Sequence, residues 1–362
     1  MKTSIIAFTR QGSALCADLV KRLECEGISS QGYILEKYFD SYYEIPGLAP
    51  LRTSLNEWTK EQFEKSDAIL FIGAAGIAVR AIAPFIKSKT EDPAVVVMDE
   101  EGRFSISLLS GHLGGANELA ELAARVTGAE SVITTATDVH GVFAVDVFAK
   151  KQNLAISDMN LAKHISAAVL DKEPVGFFSD FPVIGNIPEG LTQKDSCKQN
   201  IWITAKKKPE CESFLRLFLS EDAEVLRLIP SALILGIGCR KGTGNEAIET
   251  VIDKLLEQWN LSKEAVAEIA TIDIKKNEKG LLDFAHEHSL KLSFYSSERL
   301  MKAEGEFTSS EFVKQITGVD NVCERAAMTR VSELGGGTLL VRKQAENGVT
   351  AAIAVKDWKV IL

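Results

Sequence analysis

The sequence has no C-x-x-C pair and no cysteine–histidine spacing of the kind that holds zinc, although it carries six cysteines, Cys16, Cys25, Cys197, Cys211, Cys239 and Cys323. Scattered thiols point to a reducing, cytoplasmic setting. No apolar run approaches the length of a membrane span. The apolar part of Met1–Phe8 is too short for a signal peptide and reads as a first strand. An excess of positive charge is also missing. With a net charge of −9, the surface as a whole is unsuited to nucleic acid or to anionic membranes. If the substrate is acidic, positive charge must be local, so arginines inside glycine-rich loops carry the information. No fixed-period repeat is present.

What remains is an ordinary globular mixture, 46% hydrophobic and 25% charged. A length of 362 residues exceeds one ordinary core and favours two or three domains. Strand and helix patterns alternate from the start. Ser4–Phe8 reads as a strand and Ser13–Leu23 as a helix. Tyr38–Pro50 reads as a connection, and Ser54-Leu-Asn-Glu57 as a capping box opening a helix. Ala68–Ile72 is a strand leading into Gly73-Ala-Ala-Gly76 and a helix through Ile82. Ala94–Met98 and Phe104–Leu109 are strands joined by the turn Asp99–Gly102, and Val132–Thr135 closes the block. Signals weaken from Ala136 to about Leu228, with helices expected at Ala144–Lys150 and Leu161–Leu170 and strands at Val175–Phe178 and Ile201–Thr204. After Pro230 a new block opens with the strand Ala232–Leu235. A capping box is expected at Thr243-Gly-Asn-Glu246, a helix start at Thr308-Ser-Ser-Glu311, and a closing strand pair at Thr338–Val341 and Thr350–Val355. This order predicts a multi-domain α/β protein, with mostly parallel sheets and helices on both faces. The expected domains are 1–135, 136–229 and 230–362.

Three glycine-rich segments carry the chemistry. In Leu109-Ser-Gly-His-Leu-Gly-Gly-Ala-Asn117, His112 lies among Gly111, Gly114 and Gly115 between a strand and a helix. Glycines allow close backbone approach, and a helix start supplies N–H donors and partial positive charge. In an open α/β sheet, ligands sit beyond the carboxyl ends of the strands, and His112 is expected there as a proton-transfer group. The competing reading is a glycine turn with an incidental surface histidine. In the second segment, Gly73-Ala-Ala-Gly-Ile-Ala-Val-Arg80, Gly73 and Gly76 can present N–H groups to an anion and Arg80 can reach a carboxylate. Close helix–strand packing explains the same small residues equally well. The third is Gly236-Ile-Gly-Cys-Arg-Lys-Gly-Thr243. Its last glycine comes one residue late for G-x-G-x-x-G, and no lysine follows it as a P-loop needs. Gly238, Arg240, Lys241 and Thr243 still suit carboxylates.

Asp138 and Asp146, near the end of the first block, either orient His112, contact the substrate, or serve as a helix cap and a solvated carboxylate. Gly318–Ala327 places Cys323, Glu324 and Arg325 in the first turn of a helix. Cys323 has no histidine partner in the pattern and reads as structural, so Glu324 and Arg325 are the ligand candidates. His286 and His288 fall on different helix faces and do not form a metal pair.

Leu108-Leu-Ser-Gly-His-Leu-Gly-Gly-Ala-Asn117, Gly236–Thr243 and Gly318–Ala327 together resemble signature stretches of the cobalt-precorrin-5A hydrolases, of the anaerobic branch of cobalamin biosynthesis. Gly73–Pro84, Thr134–Asp138 and Thr271-Ile-Asp-Ile-Lys275 also fit, so the likeness spans nearly the whole chain. The resemblance implies a cobalt-bearing tetrapyrrole substrate with many carboxylate arms and a δ-lactone. It implies lactone opening, release of acetaldehyde and formation of cobalt-precorrin-5B. The cobalt comes with the substrate, so no metal or other cofactor of the protein's own is implied. Under this reading His112 is the catalytic base. Gly73, Gly76, Arg80, Gly111, Gly114, Gly115, Asn117, Asp138, Gly238, Arg240, Lys241, Thr243, Glu324 and Arg325 are the substrate contacts. The partner is the tetrapyrrole alone, with no nucleic acid and no membrane, and a homo-oligomer is left open. A nicotinamide-dependent oxidoreductase, suggested by Gly236–Gly244, and a noncatalytic tetrapyrrole carrier are the rival readings.

Overall fold

In a computed structural model, the chain is described at all residues except 43, 89–90, 113, 136–141, 194–196 and 210–222. It divides into two compact units, Met1–Val147 and Phe148–Leu362.

The first unit is built on β1 (Lys2–Ala7), α1 (Arg10–Cys25), β2 (Ser29–Leu35), α2 (Glu36–Phe39), β3 (Leu48–Leu51), α3 (Leu55–Lys65), β4 (Ala68–Ile72), α4 (Ala75–Ile82), β5 (Ala94–Met98), β6 (Phe104–Leu109), α5 (Ala116–Thr127) and β7 (Glu130–Val132). Helix α6 (Val145–Lys151) follows at the boundary. The strands form one sheet in the order β3-β2-β1-β4-β5-β6-β7. All neighbours are parallel except β5 and β6. The central strands read as continuous apolar runs because both faces are covered. Ile5, Leu70 and Val96 meet Leu19 and Leu23 of α1 and Leu119 of α5 on one face. Ile6, Phe71 and Val97 meet Trp58 of α3 and Ala78 of α4 on the other. The Ser54 capping box forms as expected, with Ser54 and Glu57 each bonding the other's backbone N–H. Tyr38–Pro50, expected as a connection, ends in the short strand β3, which accepts Pro50 because it is an edge strand.

The second unit continues with β8 (Leu154–Ile156), α7 (Met159–Leu170), β9 (Val175–Ser179), β10 (Val183–Ile184), β11 (Leu191–Thr192), β12 (Gln199–Ile203) and β13 (Glu224–Pro230). Then come β14 (Leu233–Cys239), α8 (Asn245–Gln258), β15 (Val266–Ile272), α9 (Lys279–Glu287), β16 (Lys291–Tyr295), α10 (Ser297–Met301), α11 (Glu311–Thr317), α12 (Cys323–Glu333), β17 (Gly337–Glu346), β18 (Val349–Lys356) and β19 (Val360–Ile361). One five-stranded sheet has the order β11-β9-β12-β13-β8 and another the order β16-β15-β14-β18-β17. In the second, β14, β15 and β16 are parallel and the β17–β18 hairpin is antiparallel. Leu233, Leu235 and Ile237 of β14 pack under α8, while Ile234, one residue out of phase, packs under α12. Helices therefore cover both faces, as the alternating pattern predicts.

One expected cap is corrected. At α8 the N-cap is Gly244, with no side-chain cap, and the Thr243 hydroxyl donates to the Arg240 carbonyl at 2.8 Å. Thr308–Glu311 opens α11 as expected, with Ser310 as the cap, and Thr308 binds the Glu324 carboxylate through its N–H and hydroxyl at 2.7 and 2.9 Å. The strands β2, β8, β10, β11, β13 and β19 are not among those expected; most are short, and Gly32 and the polar Gln31 break up β2.

Candidate active site

The His112 loop is a tight knot. Its N–H groups at Gly115, Ala116 and Asn117 donate to the carbonyls of His112, Ser110 and Gly111 at 3.1, 3.1 and 3.0 Å. A Cβ on Gly111 would lie 2.6 Å from the Asn117 side chain, and one on Gly114 would lie 2.3 Å from Ser110 Cβ. The glycines are thus explained by closure of the loop on itself. Two of the expected substrate contacts, Gly115 and Asn117, thus spend their N–H groups inside the loop. Ser110 adopts φ 57°, a left-handed conformation uncommon for a non-glycine residue, at the strand exit that aims His112.

His112 Nδ1 lies 3.6 Å from Asp146 Oδ2, with both side chains about 85% shielded (14% and 13% exposed). At that distance the contact is an electrostatic pairing rather than a short hydrogen bond. The other Asp146 oxygen accepts the Val147 N–H at 3.0 Å, which fixes the carboxylate at the start of α6. Asn117 Nδ2 donates to Thr135 Oγ1 at 3.2 Å, tying α5 to the chain beyond β7. A carboxylate this close to the ring stabilises the imidazolium that forms when the ring takes up a proton. Asp138 lies outside the described residues.

Gly73, Gly76 and Arg80 are not beside His112. Because β6 runs antiparallel to β5, its carboxyl end lies at the amino ends of β4 and β5. The register makes this explicit, with Leu109 opposite Val95 and Ile72 opposite Met98. The His112 loop and the Gly73–Gly76 loop therefore occupy opposite edges of the sheet, separated by the five residues of β4, roughly 16 Å of strand. The expectation that His112 lies at the carboxyl edge of the parallel strands is corrected. That edge holds Gly73, whose N–H donates to the Met98 carbonyl at 2.8 Å, and Gly76, whose missing side chain faces open space. Arg80 is exposed.

In the second unit, Gly236 and Gly238 belong to β14 rather than to a loop. A Cβ on Gly236 would lie 1.8 Å from the Cys323 carbonyl oxygen, and one on Gly238 would lie 2.6 Å from Thr350 Oγ1. The space that a dinucleotide pyrophosphate needs is filled by protein, which removes the structural basis of the nicotinamide reading. The exposed basic turn is Arg240–Gly242, at the carboxyl edge of the sheet, with Thr243 partly buried beneath it.

The charges of Glu324 and Arg325 are answered internally. The Glu324 carboxylate is fully buried and accepts from Thr308 and from the Lys343 N–H at 2.7 Å. Arg325 pairs with Asp320 at 2.7 Å and stacks over the Phe307 ring at 4.5 Å. These contacts fasten α12 to Phe307 and Thr308 before α11, to Asp320 after it, and to Lys343 of β17. Cys323 is buried and its thiol is pushed up to about 12, which makes it unreactive. Among the described residues, Glu249, Glu287 and His288 come close enough to ligate a cation, yet Lys263 already sits 3.2 Å from the Glu249 oxygen that His288 contacts.

Comparison with known proteins decides the family. Residues 57–138 match the family described as Cobalamin synthesis G N-terminal, 143–219 Cobalamin biosynthesis central region, and 233–354 Cobalamin synthesis G C-terminus. The cobalt-precorrin-5A hydrolase of Salmonella typhimurium strain LT2 is 34% identical over 85% of this chain and 88% of its own length. That of Priestia megaterium is 30% identical over 97% of this chain and 94% of its own. This chain belongs to the cobalt-precorrin-5A hydrolase family.

Against that family assignment, the group that sequence reasoning missed is Glu278. It lies between β15 and α9, and its carboxylate reaches the Gly242 N–H at 2.6 Å across 36 residues of sequence. An acid at a helix N-cap is ordinary, and nothing local distinguishes one whose side chain is turned away from its own helix.

Proposed function

We propose that this chain hydrolyses cobalt-precorrin-5A, opening its δ-lactone and releasing acetaldehyde to leave cobalt-precorrin-5B, with His112 as the general base. Family membership supports the activity. The observation that carries the catalytic assignment is the shielded pairing of Asp146, at the start of α6, with His112, on a loop whose backbone is fixed by its own hydrogen bonds. Nε2 takes a proton from water as its oxygen adds to the lactone carbonyl carbon. The ester C–O bond then breaks, giving a carboxylate and a hydroxyl. Deprotonation of that hydroxyl lets the adjacent C–C bond cleave. Its electron pair passes into the conjugated macrocycle and the two-carbon fragment leaves as acetaldehyde. Much of the chemistry is thus carried by the substrate. Since the Gly115, Ala116 and Asn117 amides face inward, stabilisation of the oxyanion falls to other donors.

Arg240 and Lys241 supply local positive charge for the carboxylate arms, on a chain whose net charge is −9. The reading carries with it a cytoplasmic enzyme that takes its cobalt with the substrate and uses no further cofactor and no nucleic-acid partner. Among the described residues, no helix is long and apolar enough to cross a membrane.

The decisive experiment is anaerobic incubation of the protein with cobalt-precorrin-5A, followed by acetaldehyde detection. A carrier would bind the pigment and release none. Asp146→Asn is expected to lower kcat about tenfold to a hundredfold with KM within about twofold, because the amide cannot stabilise an imidazolium. An unchanged kcat would remove Asp146 from the mechanism. Arg240→Ala is expected to raise KM roughly fivefold to tenfold and leave kcat within about twofold, the signature of uniform binding.

A further inference from the structure

We propose that Glu278 is a positioning residue for substrate binding, holding the basic turn Arg240–Gly242 in the conformation that presents Arg240 and Lys241. The proposal rests on the reading of those two side chains as carboxylate-binding groups.

An exposed turn bearing two long cationic side chains binds poorly if its backbone must be ordered when ligand arrives. Here the backbone is ordered beforehand, from three directions. The Arg240 N–H donates to the Gly348 carbonyl at 2.9 Å, on the β17–β18 hairpin. The Thr243 hydroxyl closes the turn onto the Arg240 carbonyl. Helix α9 lies so close beneath it that a Cβ on Gly280 would stand 2.1 Å from the Thr243 carbonyl oxygen.

The remaining restraint is the bond from the Gly242 N–H to Glu278 Oε1 at 2.6 Å, at the tip of the turn. The other oxygen, Oε2, accepts from Lys275 Nζ at 3.1 Å, and both side chains are close to nine-tenths shielded (13% and 11% exposed). Glu278 occupies the N-cap position of α9 but makes no side-chain cap to it, so its carboxylate serves the neighbouring turn instead of its own helix. The Gly242 N–H and Lys275 hold this carboxyl below the usual carboxylate range, so it stays charged at working pH.

A purely electrostatic role and a positioning role predict opposite signs. Removing a negative charge beside Arg240 and Lys241 would by itself strengthen attraction for an anionic substrate and lower KM. Releasing the turn weakens binding and raises KM. Glu278→Ala is expected to raise KM for cobalt-precorrin-5A about tenfold with kcat within about twofold, and Glu278→Gln to recover most of that loss, since its amide oxygen still accepts the Gly242 N–H. Thermal melts of both variants separate this from a general loss of stability, which would reduce the active fraction and leave KM alone. An unchanged or lowered KM in Glu278→Ala overturns the proposal. Arg240→Ala, measured beside it, tells the two failures apart. If Arg240→Ala raises KM and Glu278→Ala does not, positioning alone is wrong. If neither moves KM, the turn is not a substrate contact and both readings fall together.

Discussion

Replacing His112 with Ala is expected to lower kcat for acetaldehyde release by about 10²- to 10⁴-fold, the span a positioned general base ordinarily supplies. KM should stay within about threefold, because the imidazole acts on the attacking water and makes no claim on the carboxylate arms. The pairing with Asp146 sharpens the expectation. If the carboxylate works only through the ring, then His112→Ala combined with Asp146→Asn is no slower than His112→Ala alone, since groups that act as a unit are non-additive. A double variant slower by the product of the single effects would give Asp146 an independent task. Near-wild-type turnover in His112→Ala under anaerobic conditions would leave the loop as a structural knot and the catalytic assignment without support. His112→Gln adds a further constraint. It can hold a water but takes no proton near neutral pH, so it should be as slow as the alanine variant.

How far the sequence reads the site depends on which physical signal is local. Apolar periodicity placed Ala94–Met98 and Phe104–Leu109 at their observed bounds, because burial on both faces or one face writes itself into five or six consecutive residues. Strand direction is not written that way. The signal for it was the turn Asp99–Gly102, in which Asp99 accepts from the Glu101, Arg103 and Phe104 N–H groups. A connection that short can only join antiparallel neighbours. It follows that β6 delivers His112 to the amino edge of β4 and β5, away from Gly73 and Arg80. Glycines are ambiguous for a different reason. Gly76 faces open space while Gly111, Gly114, Gly236 and Gly238 face protein atoms, and the residue type is the same in each. The Asp146 partner was visible as a candidate because it lies on a helix start close after β7. Glu278 was not, because its contact with Gly242 depends on the packing of α9 against the start of α8.

Gly236→Ala is expected to be the most destabilising single methyl in the C-terminal sheet. In register, Gly236 lies between Ala270 of β15 and Ala352 of β18, a shallow trough of small residues across three strands. Helix α12 settles into that trough, with the Cys323 carbonyl 1.8 Å and Ala327 Cβ 3.0 Å from where the added methyl would stand. Both Ala326 and Ala327 are fully buried, so the helix has no flexible side chain to move aside and must lift as a body. Overpacking commonly costs about 1–3 kcal/mol and more where backbone must shift. A cost of at least about 3 kcal/mol corresponds to a fall in Tm on the order of 6–12 °C for a unit of this size. Gly76→Ala is the matched control. Its methyl meets nothing within 4 Å, and an alanine near the start of α4 should leave the melt within about 0.5 kcal/mol of wild type or slightly raise it. Equal melts for the two variants would mean that α12 does not rest on Gly236. The space above β14 would then be open to a ligand after all, and NAD(P)H binding, followed by fluorescence, would become the measurement to make. A large fall for Gly236→Ala alone, with no NAD(P)H binding by the wild-type chain, assigns Gly236 of β14 to helix–sheet contact and leaves Arg240–Gly242 as the exposed part of that segment.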